Sequence, residues 1–324
     1  MMTFKFRYTL LLLFFGQLLL AQQKTDPNNQ SEELGKVTWF RDYDTALEIA
    51  KKENKDVLIL FQEVPGCSTC RNYGHNVLSH PLMVEAIENS FIPLAIFNNK
   101  KGKDAEILKK YKEPSWNNPV VRIVDHRGNN VVGRIGNDYE AITLVQRMME
   151  GLQKRGAVVP EYINLLEKEL LATNTQKAYY RMSCFWSGER ELGRLPEVLS
   201  TESGFMDHSE VVEVVYNSNE ITKKELDNYA KSSGMSLMDG KKSYRPSPKD
   251  IHYYLQQTKF IYLPLTELQK TKINSALGDG RPTQQFLSPK QKKWLQKIKS
   301  SSEVLFTTDF LEAWDKKAKE MDAI

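Results

Sequence analysis

The chain has 324 residues, of which 40% are hydrophobic and 27% are charged, and its formal net charge is +4. The length leaves room for two domains, and the composition is that of a globular protein, which excludes a fibrous or largely disordered chain. Lysine and glutamate are mixed without single-sign blocks, so the sequence predicts no nucleic-acid partner.

The first residues have the pattern of an export signal. Lys5 and Arg7 precede the apolar stretch Leu10–Leu20, and Ala21 offers a small residue for cleavage. The stretch is shorter than the roughly 20 residues that span a bilayer, and an uncleaved anchor is the alternative interpretation. We therefore expect residues 1–21 to be removed, which leaves an exported protein in the periplasm or outside the cell, without stable membrane insertion.

A first domain is predicted at residues 37–156, after a polar and disordered leader at residues 22–36. Its expected elements, in chain order, are a helix around Ala46–Ala50, the buried strand Val57–Phe61, helices from Ser68 to Leu78 and from Pro81, the buried strand Ile92–Phe97, a helix near Asp104–Tyr111, the strand Val120–Val124, its hairpin partner Val131–Ile135, and a helix ending near Leu152. The continuous apolar runs are typical of parallel strands buried on both faces, so the pattern predicts an α/β fold.

The three cysteines stand in two different settings. Cys67 and Cys70 form a Cys-x-x-Cys pair soon after the first buried strand, whereas Cys184 stands alone before Phe185-Trp186. Three cysteines cannot all pair with one another, and a Cys67–Cys70 disulfide closes too short a loop to stabilise the fold much. We therefore expect redox chemistry rather than structural disulfides. At a helix N-terminus Cys67 would have a stabilised thiolate and attack first, and the more shielded Cys70 would resolve the mixed disulfide.

Two other uses of the cysteine pair stay open at this point. The pair is half of a zinc site if His75 or His80 completes it, or it is an inert surface disulfide. Because the sequence holds no second cysteine pair, redox activity without metal or other cofactor is the favoured interpretation.

The order of elements, with Cys-x-x-Cys at the first strand-to-helix junction, resembles the thioredoxin-like fold over about Val37–Leu152. The resemblance implies that Pro119 is the cis-proline that faces the dithiol and aligns a substrate segment. The residues around the pair differ from the family's usual ones, because Pro65-Gly66 replaces tryptophan and Ser68-Thr69 replaces Gly-Pro. The Val-Pro-Gly lead-in resembles a less common group that has selenocysteine in place of the first cysteine.

A second domain is predicted at residues 177–324, after a linker helix within residues 157–176. Its expected elements are the strand Lys177–Met182, the helix Phe185–Leu195, the strand Glu210–Tyr216, and the helices Lys223–Lys231, Asp250–Thr258, Leu268–Ala276, Ser288–Ile298 and Asp309–Glu320. This order predicts an α+β domain with a helical C-terminal part.

Cys184-Phe185-Trp186 resembles the Gly-Cys-Phe-Trp-Gly active site of peptide methionine sulfoxide reductase A. Further segments of that family resemble Leu195–Thr201, Gly204-Phe205 and His208–Tyr216, so the match spans about Ala178–Ala230. The fold expected from this resemblance is a methionine sulfoxide reductase A-like domain.

The resemblance implies a role for each matching residue. The Cys184 thiolate would attack the sulfur of methionine sulfoxide and become a sulfenic acid. The substrate-binding residues implied are Phe185, Trp186, Phe205, His208 and Glu210. The family's acid, a glutamate assisted by tyrosines, lies in segments that this chain shortens or rewrites. The candidates to replace it are Glu189, Glu210, His208, Asp207 and Tyr244.

The predicted function joins the two domains in one exported thiol oxidoreductase, which reduces methionine sulfoxide in proteins or small molecules. Cys184 would be the nucleophile, the Cys67/Cys70 dithiol would regenerate it, and an external thiol donor would reduce the dithiol. The alternative is a thiol–disulfide or peroxide oxidoreductase whose C-terminal domain is a catalytically degenerate module that binds clients.

Overall fold

The structure, a computed structural model, describes residues 24–116, 118–238, 244–299 and 302–322. The chain divides into two compact units between Val159 and Pro160, inside the range predicted as the linker. The predicted signal at residues 1–21 lies outside the described residues. In the part of the chain that is described, no helix combines the length and the hydropathy of a membrane span.

The first unit is built on a four-stranded mixed sheet. Its helices are α1 (Tyr43–Glu53), α2 (Ser68–Asn76), α3 (Pro81–Ser90), α4 (Lys103–Tyr111) and α5 (Ala141–Lys154), and its strands are β1 (Asp56–Gln62), β2 (Phe91–Phe97), β3 (Val120–Val124) and β4 (Ile135–Gly136). The strand order is β2-β1-β3-β4, with β1 and β2 parallel and the other neighbours antiparallel. Every residue of β1 is buried, which explains its continuous apolar run. The predicted mixed α/β fold of this region is confirmed.

The described part of the leader is ordered, which corrects the predicted disorder of residues 22–36. Glu32–Leu34 form a 3-10 turn, and the Trp39 indole donates a hydrogen bond to the Leu34 carbonyl at 2.9 Å. Gly74 on α2 permits the close approach, since a Cβ there would lie 2.0 Å from the Glu32 carbonyl oxygen. The segment is mostly polar, which predicts disorder, and composition gives no sign of the few contacts that order it.

The second unit is built on a five-stranded antiparallel sheet. Its helices are α6 (Glu161–Leu171), α7 (Phe185–Leu192), α8 (Lys223–Ser232), α9 (Tyr253–Gln256), α10 (Glu267–Gly278), α11 (Pro289–Lys297) and α12 (Phe310–Asp322), and its strands are β5 (Thr175–Arg181), β6 (Val198–Met206), β7 (Ser209–Asn217), β8 (Ser236–Leu237) and β9 (Tyr244–Pro246). The strand order is β8-β5-β7-β6-β9. Strand β7 lies between β5 and β6, so β5-α7-β6 is a split βαβ motif. The predicted α+β fold of this region is confirmed.

Strand β6 is an element that the sequence analysis did not predict. It pairs along its length with β7, and the two-residue turn Asp207-His208 joins them. Polar residues in the middle of β6 break the apolar alternation on which strand prediction depends. The hairpin places Phe205 directly opposite Glu210.

Helix α10 lies inside the second unit, although the sequence predicted a C-terminal helical extension. Residues 268–276 are all buried. The Lys272 ammonium group donates to the carbonyls of Gly193, Leu195 and Val198 at 3.0, 2.5 and 2.9 Å, which joins α10 to the segment between α7 and β6. Burial lowers the pKa of Lys272 to about 7.

Candidate functional site

Cys67 and Cys70 lie where the loop after β1 enters α2. Cys67 is the N-cap residue of α2 and is exposed, whereas Cys70 is buried. Both are free thiols, and their sulfurs are 3.8 Å apart. These exposures are the ones expected of an attacking thiol and a resolving thiol.

The protein gives the two thiols opposite pKa shifts. A backbone hydrogen bond from Cys70 is the main cause that lowers the pKa of Cys67, and it outweighs the smaller effect of burial. Burial raises the pKa of Cys70 to about 11. Of the two thiols, Cys67 is therefore the one that loses its proton at the lower pH.

A carboxylate from the leader supports the loop before Cys67. Glu33 is 2% exposed, and its Oε1 accepts a hydrogen bond from the Gly66 N–H at 2.7 Å. Burial raises the pKa of Glu33, but hydrogen bonds from Ser31 and Gly66 outweigh burial, so the pKa is lowered overall. The sequence analysis missed Glu33, since its role depends on a contact 33 residues away along the chain.

A second carboxylate, that of Glu63, lies beside the dithiol. One of its oxygens and the sulfurs of Cys67 and Cys70 all lie within 4.8 Å of one another. Among the described residues this is the one group of three side chains that could hold a metal ion. His75 and His80 do not belong to the group, which corrects the ligands considered for a zinc site.

Pro119 lies at the sheet edge that carries the dithiol loop. It directly precedes β3, where Val120 pairs with Phe61 near the end of β1. The Asn118–Pro119 peptide bond is cis. The Asn98 side chain donates a hydrogen bond to the side-chain oxygen of Asn118, so the end of β2 is bonded to the segment before Pro119.

Cys184 also caps a helix, but in a different electrostatic setting. It is the N-cap residue of α7 and is partly exposed. The N–H of Phe185, the first residue of α7, donates to Oε2 of Glu210 at 2.9 Å. A carboxylate on β7 therefore occupies the helix N–H nearest to Cys184.

Aromatic rings pack beside Cys184. The ring centroids of Phe185 and Phe205 are 5.4 Å apart, and those of Phe185 and Trp186 are 6.1 Å apart. Tyr253 stacks on the indole of Trp186 at 3.7 Å, and the indole N–H donates to Asp250 at 3.3 Å. The structure thus brings the three predicted aromatic residues together and adds Tyr253, which the sequence analysis missed.

The residues predicted as possible proton donors to a sulfoxide oxygen differ in exposure and in hydrogen bonds. His208 is exposed at the tip of the β6–β7 turn. Glu189 is fully buried and accepts a hydrogen bond from the His252 N–H at 2.9 Å; burial raises the pKa of Glu189 well above its ordinary value. The Tyr244 hydroxyl donates to a backbone carbonyl at 2.9 Å. Glu210 is the candidate that is hydrogen-bonded to the residue next to Cys184.

Comparisons with known proteins identify the first unit. Residues 38–126 match the sequence model of a family described as thioredoxin-like. The first unit contains a thioredoxin-like domain. No curated protein matches the chain.

Among solved structures, the chain is similar to one titled "DsbH Oxidoreductase", with 16% sequence identity and a TM-score of 0.32. That match covers 39% of this chain and 90% of the other. The family match ends at residue 126, so the methionine sulfoxide reductase A-like character of the second unit stays a prediction.

Proposed function

We propose that the protein is a thiol–disulfide oxidoreductase whose Cys67–Cys70 dithiol reduces a partner disulfide. The observation that carries the proposal is the unequal pair: an exposed Cys67 with a lowered pKa, 3.8 Å from a buried Cys70 with a raised one. This inequality assigns the two thiols their order of reaction.

The reaction takes two exchange steps. The Cys67 thiolate attacks one sulfur of the partner disulfide, and the other partner sulfur leaves as a thiolate that takes up a proton. Cys70 then gives up its proton and attacks the Cys67 sulfur, which releases the second partner thiol and leaves a Cys67–Cys70 disulfide. The dithiol loses two electrons and the partner disulfide gains them.

The test is reduction of insulin disulfides by the purified protein with a reducing donor. Cys67→Ser should abolish the reaction, and Cys70→Ser should accumulate a mixed disulfide through Cys67. Cys184→Ser is the matched control and should retain the rate. A Cys67→Ser protein that keeps the wild-type rate would rule out the assigned nucleophile.

Our second proposal is that Cys184 reduces methionine sulfoxide in proteins or small molecules. Its support is a partly exposed cysteine at a helix N-cap beside Phe185, Phe205 and Trp186, whose rings suit a methyl group. Cys184 attacks the sulfoxide sulfur, and the oxygen is transferred, with a proton, to give a sulfenic acid and methionine. The Cys67–Cys70 dithiol then supplies two electrons, water leaves, and an external thiol donor reduces the resulting disulfide.

Two observations favour the alternative, in which the second unit only binds clients of the dithiol. Tyr253 covers one face of Trp186, and the Glu210 carboxylate occupies the helix N–H beside Cys184. Tyr253 leaves less of the Trp186 ring for the methyl group of a sulfoxide, and Glu210 leaves one backbone N–H fewer for the Cys184 sulfur.

Assays on methionine sulfoxide separate the two cases. If Cys184 is the nucleophile, Cys184→Ser abolishes sulfoxide reduction and leaves insulin reduction intact. If the second unit is a binding module, the wild type does not reduce sulfoxides and Cys184→Ser changes only the affinity for clients. We also propose export of the protein, which fractionation of producing cells tests.

A further inference from the structure

Glu63 gives the dithiol a second chemical use. We propose that Glu63, Cys67 and Cys70 together form a binding site for a thiophilic divalent cation, Zn²⁺, when the dithiol is reduced. The three ligand atoms already lie within 4.8 Å of one another. The inference is independent of the proposed exchange reaction, because it requires only the reduced side chains.

The spacing of the two sulfurs fits a tetrahedral ion. They are 3.8 Å apart. Zinc–sulfur bonds of about 2.3 Å at a tetrahedral angle place two sulfurs about 3.8 Å apart. The ion can therefore bind both sulfurs without a change in the backbone between Cys67 and Cys70.

The donor set also suits zinc. Thiolates select soft or borderline ions, and a carboxylate oxygen is an accepted third ligand. A backbone hydrogen bond from Glu63 to Cys70 keeps the end of β1 against the pair. Two thiolates and one carboxylate carry three negative charges against two positive charges on the ion, and the fourth position stays open to water.

Binding would block disulfide exchange. The ion displaces one proton from each thiol, and both sulfurs then donate their electron pairs to the metal instead of attacking a disulfide. Removal of the ion restores the dithiol without an oxidation or reduction step. The bound form is a reversible store of reduced protein.

The experiment uses the full-length reduced protein and Zn²⁺ in competition with a chromophoric chelator. We expect one Zn²⁺ per chain, loss of binding in Cys67→Ser or Cys70→Ser, and affinity about tenfold weaker in Glu63→Gln, by analogy with the loss of supporting groups at metal sites. Glu48→Gln on α1, an exposed glutamate elsewhere in the first unit, is the matched control and should bind as the wild type does. The protein with an oxidised dithiol should not bind.

A spectroscopic readout excludes binding elsewhere. Cd²⁺ in place of Zn²⁺ should give thiolate-to-metal absorption equal to two sulfurs per ion, and Cys184→Ser should leave this value unchanged. Circular dichroism shows whether each variant is folded. A stoichiometry below one, a loss in Cys184→Ser, or wild-type affinity in folded Glu63→Gln would overturn the proposal. The insulin assay is scored separately, so failure of either idea leaves the other testable.

Discussion

The two cysteine sites share a plan and differ in the use of one backbone N–H group. Cys67 and Cys184 each come after a strand and are the N-cap residues of a helix. Near Cys67 the carboxylate of Glu33 binds an N–H in the loop before the helix. Near Cys184 the carboxylate of Glu210 binds the first N–H of the helix itself.

This difference has an electrostatic consequence. At the first site the helix N–H groups stay available to the sulfur, and backbone hydrogen bonds lower the pKa of Cys67. At the second site the Glu210 side chain accepts the hydrogen bond of the nearest helix N–H, so that group is not available to the Cys184 sulfur. Two cysteines at helix N-termini can therefore differ in the backbone N–H groups that their sulfurs can reach, because a carboxylate can use the same groups.

The largest expected effect is the contrast in reactivity between Cys67 and Cys70. At neutral pH we expect iodoacetamide to modify Cys67 about 100-fold faster, since the thiolate is the reactive form. The Cys67 rate should rise with pH with its midpoint below the ordinary pKa of 9.0, whereas the midpoint of the Cys70 rise should lie at about pH 11. Mass spectrometry of the labelled peptides measures both rates, and similar rates at neutral pH would contradict the assigned roles.

The second effect concerns how closely α7 and α5 pack against their sheets, which a Gly→Ala substitution on each helix tests. A Cβ at Gly188 on α7 would lie 2.7 Å from Val212 on β7, so Gly188→Ala should lower the free energy of unfolding by about 2 kcal/mol. A Cβ at Gly151 on α5 meets Ile123 at an ordinary 3.5 Å, so Gly151→Ala should raise it by up to about 1 kcal/mol.

Chemical denaturation measures the two free energies. Equal effects of the two substitutions would show that α7 is not held more tightly against its sheet than α5 is.

The next effect concerns the carboxylate at the first site. Glu33→Gln should lower the free energy of unfolding by about 1 kcal/mol at neutral pH, because a charge-assisted hydrogen bond is weakened. The pKa of Glu33 is lowered in the folded protein, so the contribution of its charge is complete above the ordinary value of 4.5 and is lost as the pH falls through the folded value. Denaturation of the wild type and of Glu33→Gln at neutral pH and in acid measures this contribution. The difference in the free energy of unfolding should disappear in acid, and a difference that is constant with pH would exclude an ionic role.

The smallest effect concerns the carboxylate at the second site. Glu210→Gln weakens the hydrogen bond that Glu210 accepts from the Phe185 N–H and leaves this N–H freer to bind the Cys184 sulfur, so alkylation of Cys184 at neutral pH should become about threefold faster. Cys67 in the same sample is the internal control and should keep its rate. An unchanged Cys184 rate would show that the hydrogen bond of Glu210 to the helix N–H does not affect the reactivity of Cys184.

Much of the first unit is predictable from the sequence, because strands β1 and β2 are apolar runs and helix α1 begins at the capping residue Asp42. The place of Cys67 at a helix N-terminus follows from the break between the run Val57–Phe61 and the helix after it. Composition failed for the leader, where Leu34 is buried within a mostly polar segment and its carbonyl accepts a hydrogen bond from Trp39 just after the leader.

The candidate sites are less predictable, because their contacts join distant parts of the chain. Cys184, Phe185 and Trp186 are adjacent in sequence, so a local motif finds them. Tyr253 lies 67 residues after Trp186, and its stacking depends on how α9 packs, which no local pattern records. Glu63 was missed for a different reason, since a lone glutamate next to Cys-x-x-Cys carries no spacing signal for metal binding.

Lys272 has a practical consequence for following the second unit in solution. Its amine is held by three carbonyl oxygens and is 8% exposed, so amine-directed labels such as acetic anhydride cannot reach it in the native protein. Acetylation at this position should appear only as fast as α10 separates from the segment between α7 and β6. The rate of acetylation of the peptide that contains Lys272 thus measures the rate of local opening around α7.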